Sequence, residues 1–235
     1  MAITCVLTDV EGTTSSIAFV SEVLFPYARL HLPTFLAQRQ YEPHIAAHIA
    51  GVRRTAHIGD EGIDTVCATL LQWITADRKD PDLKALQGMV WADGYATGAF
   101  TSHVYPDVPA ALAHWRSAGL RLAVYSSGSV QAQRLFFAHS GHGDLSSLFC
   151  THFDTQIGAK RDPESYRRIA AELDGEILFL SDTVAELDAA AMVGLHTHLI
   201  CRDHVQAVAG HPMAKDFHDV ERHWALGSML TAVQA

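Results

Sequence analysis

Apolar residues follow two rhythms along this chain. Short β-branched or apolar runs, ITCVLT (3–8), LRLAVY (120–125), EILFLS (176–181) and LHTHLI (195–200), suit strands buried on both faces of a parallel sheet, and FCTHFD (149–154) is a weaker fifth run. Between them the spacing turns helical, over Val108 to Ser117, Val130 to His139, Pro163 to Leu173 and Val184 to Met192. Strands alternating with single helices predict right-handed βαβ crossovers, hence an α/β fold with a doubly wound parallel sheet. Ligands in such sheets bind at the carboxyl ends of the strands.

Residues 17–101 break the alternation. They show helical patterns (Glu22 to Ala37, Ile63 to Ala76, Leu83 to Gly98) and no convincing strand. The expectation is a core made of residues 1–16 and 102–235, with residues 17–101 inserted as an all-helical cap after the first strand, placed to close on a substrate and exclude water. Phe19, Val20, Trp73 and Trp91 are candidates for an apolar wall there, with helix packing the plainer role for most of them. The tail after Arg202 is polar, contains histidine and shows no clear period.

Composition narrows the partner. The 235 residues carry 17 Lys plus Arg against 26 Asp plus Glu, a net charge of -9. That balance opposes sequence-independent binding to nucleic acid or anionic lipid and favours a small-molecule substrate. The four cysteines, Cys5, Cys67, Cys150 and Cys201, are too scattered for a zinc site or a disulfide framework, and read as reduced thiols of a cytoplasmic protein. No export signal or membrane anchor is expected.

Four segments carry candidate chemistry, each at the carboxyl end of a predicted strand. In DVEGTT (9–14), Asp9 can attack phosphorus, Glu11 can stand beside it, Gly12 lets the loop turn, and Thr13 and Thr14 can orient the nucleophile or cap the segment after them. In YSSGS (125–129), Ser126 offers a hydroxyl, and the amides around Ser127 and Gly128 can cradle a phosphate; a serine helix cap is the structural alternative. Lys160 in GAKRDPESY can place a charge on phosphoryl oxygens, unless it and Arg161 form one solvated basic turn. In LFLSDTVAELD (178–188), Asp182 and Glu186 are oxygen ligands of the kind Mg²⁺ prefers, or else a helix cap with an acidic first turn. The order, acid pair, serine loop, lysine, acid, lifts the four above coincidence.

In that order the segments resemble the signature motifs of the haloacid dehalogenase-like (HAD) phosphohydrolases. The longer stretches DVEGTTSSIAFV, VYSSGSVQAQRLFFAHS, HFDTQIGAKRDPESYRRIA and LFLSDTVAELDAA, with HVYPDV, resemble the acireductone synthases, the enolase-phosphatase family of methionine salvage. Most HAD phosphatases carry aspartate where this chain has Glu11, which matches the narrower family's own pattern. The resemblance implies conversion of 2,3-diketo-5-methylthiopentyl-1-phosphate to acireductone and phosphate through an aspartyl-phosphate, with Mg²⁺ as cofactor. By position it makes Asp9 nucleophile and metal ligand, Asp182 a second metal ligand, and Glu11 a group at the metal through its carbonyl; the Glu11 side chain, one methylene longer than the usual aspartate, is expected to act as general acid/base. Ser126, Ser127 and Lys160 become substrate-binding residues; Glu186, outside the matched roles, is expected to orient Lys160 or metal-bound water. The partner is then a small phosphorylated diketone, with no nucleic acid, no membrane and action as a monomer.

Two other readings stay open on the residues. A HAD phosphatase for another sugar phosphate would use the same four segments. A receiver-like signalling module would also accept phosphate on an acid pair, although it needs no cap. The enolisation base is unassigned, with Glu11 or a cap residue as candidates. Fifteen histidines raise the question of a metal site, above all His196 and His198, which alternate onto one strand face; without acid or thiol partners at ligand spacing they read as ordinary strand residues. His139 and His142 read as helix-terminal charges.

Overall fold

The computed structural model describes residues 2–202 and 210–227. In chain order, strand β1 (Cys5–Thr8) leads through a loop to a helical segment: α1 (Ile17–Phe19), a π-helical turn Val20–Leu24, α2 (Phe25–Arg39), α3 (Pro43–Ala56), α4 (Ile63–Thr75) and α5 (Pro81–Ala96). Alternation comes next: α6 (Val108–Ser117), β2 (Arg121–Tyr125), α7 (Val130–Ala138), β3 (Thr151–Phe153), α8 (Pro163–Leu173), β4 (Ile177–Ser181), α9 (Val184–Ala191) and β5 (His196–Ile200). The described residues add β6 (Met213–Ala214) and α10 (Phe217–Trp224). Two compact units result, one of residues 1–17 with 102–235 and one of residues 18–101.

The six strands form one parallel sheet in the order β3-β2-β1-β4-β5-β6, the doubly wound arrangement the alternation predicts. β1 and β4 are buried along their whole length, so no polar alternation is visible in their sequences. On one face Cys5, Leu7, Ala123, Tyr125, Ile177 and Phe179 pack against Tyr166, Ile169 and Leu173 of α8 and Leu187 of α9. The chain runs outward from β1 to β3 and then crosses back to β4, which makes the β1/β4 junction the topological switch point. Register then places the ends. Thr8 pairs with both Val124 and Leu180, so Asp9, Tyr125 and Ser181, the next residues along, emerge at one level.

The helical unit has its own core, with Leu32, Leu36, Ile45, Val52, Leu70 and Leu86 at its centre. Helix α3 is not among the predicted helices. Its buried Ile45, Ile49 and Val52 do recur at helical spacing, but alanine and histidine between them blur the polar face. Asp80 caps α5, its carboxylate accepting from the amides of Asp82 (3.0 Å) and Leu83 (3.2 Å), which starts that helix two residues earlier than its apolar pattern does. Of the candidate wall residues, Trp73 lies in this core, Phe19 packs edge-on to Phe100, and Trp91 stacks on Phe25 while donating to the Leu24 carbonyl. For these three the packing role is the one observed.

Residues 210–227 of the tail form a strand and a helix that the sequence does not show. α10 buries only Phe217 and Val220, so its period rests on two residues, while Asp216 caps it by accepting from Asp219 N–H. Trp115 of α6 stacks on Phe217 and donates to Glu221. The part of the tail at 203–209 and 228–235 lies outside the described residues. Of the histidines named above, His196 pairs with Glu176 (2.9 Å) and His142 bonds the Val104 carbonyl. Buried His198 accepts from the Trp224 indole, and burial pushes its ring down to about 4, so it is neutral.

Candidate active site

Asp9 stands directly after the last residue of β1 and is 5% exposed. Its amide donates to Leu180 of β4, while its carbonyl accepts from the hydroxyls of Thr8 (2.9 Å) and Thr14 (3.4 Å). The loop then coils tightly, with the amides of Thr13, Thr14 and Ser15 converging on the Val10 carbonyl and Gly12 N–H on the Ser15 carbonyl. Gly12 has φ +72°, and a Cβ there would overlap the Asp182 carboxylate. Glycine is therefore required twice at this position, for its dihedral and for the approach of the loop backbone to Asp182. Glu11 lies on the same turn, partly exposed, with its backbone bridged to Ser15.

Lys160 reaches the nucleophile candidate directly. Its Nζ lies 2.6 Å from Asp9 Oδ1 and 2.7 Å from Glu186 Oε2, and the same Glu186 oxygen accepts from Ser181 Oγ at 3.0 Å. Arg161 beside it is exposed, so the two neighbouring bases part company rather than forming one solvated turn. The lysine turn is fixed by side chains that motif reasoning does not single out. Tyr125 hydroxyl donates to the Gly158 carbonyl (3.0 Å), Ser165 to Ala159 (2.8 Å), and Tyr166 to Lys160's own carbonyl (2.7 Å). The signal is present in the Tyr of YSSGS and the Ser-Tyr of PESY, each close to a candidate site residue.

Across the sheet, Ser126 comes directly after β2 and is buried, its amide donating to Phe153 of β3. Its Oγ accepts from Gly128 N–H at 3.2 Å, which takes the Gly128 amide out of the expected phosphate cradle and leaves the hydroxyl proton to donate elsewhere. The helix cap is Ser129, which accepts from Ala132 N–H, so Ser126 is not the cap of α7. Asp154 supports this loop by accepting from Val130 and Gln156 amides. Ser127 stands beside Ser126 at the mouth of the turn, partly exposed.

Three carboxylates, Asp9, Asp182 and Glu186, thus converge with one ammonium. Burial pushes the Lys160 ammonium down, but Asp9 and Glu186 outweigh that and hold it above its usual range. Burial, and then the Asp9 charge, pushes Asp182 and Glu186 up from the ordinary carboxylate range. The pocket therefore carries more negative charge than its lysine offsets. An added cation would relieve it, and the donors are hard oxygens. Among the described residues no three His, Cys, Asp or Glu side chains form a ready-made metal cluster.

Comparison with known proteins gives the same class. The family model for haloacid dehalogenase-like hydrolases matches residues 3–194. Among curated relatives, "Enolase-phosphatase E1" of Pseudomonas syringae pathovar syringae is 51% identical over 220 residues, covering 92% of this chain and 96% of its own. The same protein of Thioalkalivibrio sulfidiphilus is 50% identical, covering 90% and 96%. Among solved structures, the UTR4 protein of Saccharomyces cerevisiae superposes with TM-score 0.77 at 34% identity, covering 91% of this chain and 98% of that one. A HAD phosphatase from Thermococcus onnurineus, with TM-score 0.60 at 18% identity, shares the fold. The chain is a hydrolase with the haloacid dehalogenase-like fold. Within that class it belongs to the enolase-phosphatase E1 family, and membership points to a divalent metal cofactor. Among the described residues no helix is long and apolar enough to cross a membrane.

Proposed function

We propose that this chain is the acireductone synthase of methionine salvage, converting 2,3-diketo-5-methylthiopentyl-1-phosphate to acireductone and phosphate with Asp9 as covalent phosphate acceptor. The observation that carries the reading is the Asp9–Lys160–Glu186 chain of contacts at the switch point, with Asp182 against Gly12. Curated relatives named enolase-phosphatase, at 50–51% identity over 90–92% of the chain, support the substrate.

In this reading Asp9, Asp182 and the Glu11 carbonyl would hold Mg²⁺. When bound, the metal offsets the charge on the phosphoryl oxygens that would otherwise repel a carboxylate nucleophile. Lys160 adds a second positive charge, held in place by Glu186 and, behind it, Ser181. Ser126 hydroxyl and the Ser127 amide bind the remaining oxygens. Asp9 forms a bond to phosphorus as the bond to the enol oxygen breaks, and Glu11 gives that oxygen its proton. Glu11 then takes a proton from the water that attacks phosphorus and breaks its bond to Asp9, which frees the Asp9 carboxylate and returns Glu11 to its protonated form. The earlier enolisation requires removal of a proton next to a carbonyl, by Glu11 or a residue of the helical unit acting as cap. The reading includes a cytoplasmic location and action as a monomer.

Incubation of the pure protein with the diketo phosphate, following enol absorbance and free phosphate together, tests this reading. Both signals are expected, both vanish on removal of divalent metal with a chelator, and Mg²⁺ restores them. Comparable turnover of a broad panel of sugar phosphates, with none of the diketone, would instead favour a generalist phosphatase. Stable phosphorylation without multiple turnover would favour a phospho-accepting module.

A further inference from the structure

Taking the Asp9 site as proposed above, we infer that Arg202 is a positioning residue for it: its guanidinium clasps the backbone of the Asp9 loop to Asp107 and so sets where the nucleophile and Glu11 stand. Arg202 lies just past β5, where the sequence carries no readable pattern. Its side chain is only 7% exposed. Nε and Nη2 both donate to the Thr13 carbonyl, at 3.0 and 2.6 Å, while Nη1 reaches both Asp107 oxygens at 2.8 and 2.9 Å and the Lys215 carbonyl at 3.4 Å. The guanidinium also lies over the Tyr105 ring, 4.1 Å from its centre, and near the Phe217 ring at 5.3 Å.

Three details mark this as a clasp on the loop rather than an ion pair that happens to lie nearby. The loop's own amides turn inward onto Val10 and Ser15, and its two consecutive carbonyls at Thr13 and Thr14 are taken from outside, by Arg202 and by Tyr105 N–H (3.0 Å). Asp107 stands at the cap position of α6 but its side chain accepts nothing from that helix; its carboxylate serves Arg202 and Phe217 N–H (2.8 Å). The clasped carbonyl belongs to the residue directly after Gly12, whose backbone lies against Asp182. A shift of Thr13 therefore moves the backbone between Asp9 and Asp182. A planar fork that bridges a carbonyl and a carboxylate is a task for arginine; a lysine ammonium is a point donor on a flexible stem and cannot hold both in one plane.

The test compares Arg202→Lys, Asp107→Asn and Asp9→Asn with the wild-type enzyme, using the diketo phosphate in Mg²⁺ and near-ultraviolet circular dichroism to establish folding. Arg202→Lys is expected to lower kcat by about 10²-fold with KM within about threefold of wild type, because the phosphate contacts of Lys160 and Ser126 lie on other loops. Asp107→Asn, which keeps the Thr13 contact but weakens its anchor, is expected to lose about tenfold in kcat. It decides the matter if Arg202→Lys does not fold. Arg202→Gly should regain activity with added guanidinium ion and not with ammonium ion, a response a merely structural ion pair would not give. Folded Arg202→Lys and Asp107→Asn with kcat within about twofold of wild type, whatever their melting temperatures, would overturn the inference. If Asp9→Asn is inactive while those two turn over normally, the clasp alone fails. If Asp9→Asn itself turns over, the reading of the site fails and the clasp with it.

Discussion

Asp9→Asn is expected to fold, to bind the diketo phosphate and to release no phosphate, with turnover lower by on the order of 10⁴-fold or more. The substitution nearly preserves shape and removes only the nucleophilic carboxylate. Folding should survive it, since Lys160 keeps its 2.7 Å contact with Glu186 and Asp182 loses a neighbouring charge that pushes its carboxyl up. Phosphate release, calorimetric binding and thermal melting measured on one preparation check all three statements. Near-normal turnover would remove Asp9 from the chemistry, and loss of fold would mean that the carboxylate is mainly structural.

Lys160→Met has the largest expected effect on stability. The lysine side chain is 11% exposed and is the ammonium bound to both Asp9 and Glu186. Breaking a buried pair by removing one partner costs about 3–5 kcal/mol, which in a chain of this length lowers the melting temperature by roughly 6–20 °C. The pH dependence has a definite sign. Burial first, and the Asp9 charge second, already push Glu186 and Asp182 up; Lys160 does most to pull Glu186 back, and it pulls Asp182 back after the Thr183 hydroxyl. Without it their folded-state carboxyls rise further above the unfolded values. Their contribution to stability is then fully present below the unfolded range and is lost as pH rises through the raised one. In metal-free buffer the deficit relative to wild type should be greatest near neutral pH and shrink as the pH falls through the carboxyl range. A deficit independent of pH would point to lost packing instead of unpaired charge.

Asp9 and Asp182 are readable in the sequence because each sits at an abrupt change of pattern, whereas Lys160, in a basic turn well past β3, gives the weakest signal of the four segments. Buried strands such as CVLT and ILFLS have no polar alternation, so the first acid after them stands out, and their parallel register brings Asp9 and the Ser181–Asp182 pair to neighbouring positions. β3 is fainter because it has three residues and only Phe153 is buried. β6 and α10 are not legible, since a two-residue strand and a helix with two buried anchors carry too little period to register. The supporting residues are hidden for another reason. Tyr125 and Tyr166 are fully buried, and their hydroxyls hold the Lys160 turn, a contact that no local pattern announces. Arg202 has nothing beside it in sequence to explain it; Thr13 and Asp107, which it joins, are 189 and 95 positions away. What a loop is made of shows in its residues, while what holds it depends on the fold.

The central claim is that phosphate passes through Asp9, and the stereochemistry at phosphorus tests it most directly. A substrate carrying an isotopically chiral phosphoryl group, turned over into an acceptor that preserves its configuration, reports how many in-line displacements occurred. Transfer to Asp9 and then to the acceptor makes two inversions, so net retention is predicted. Net inversion would mean a single direct displacement and would contradict the account.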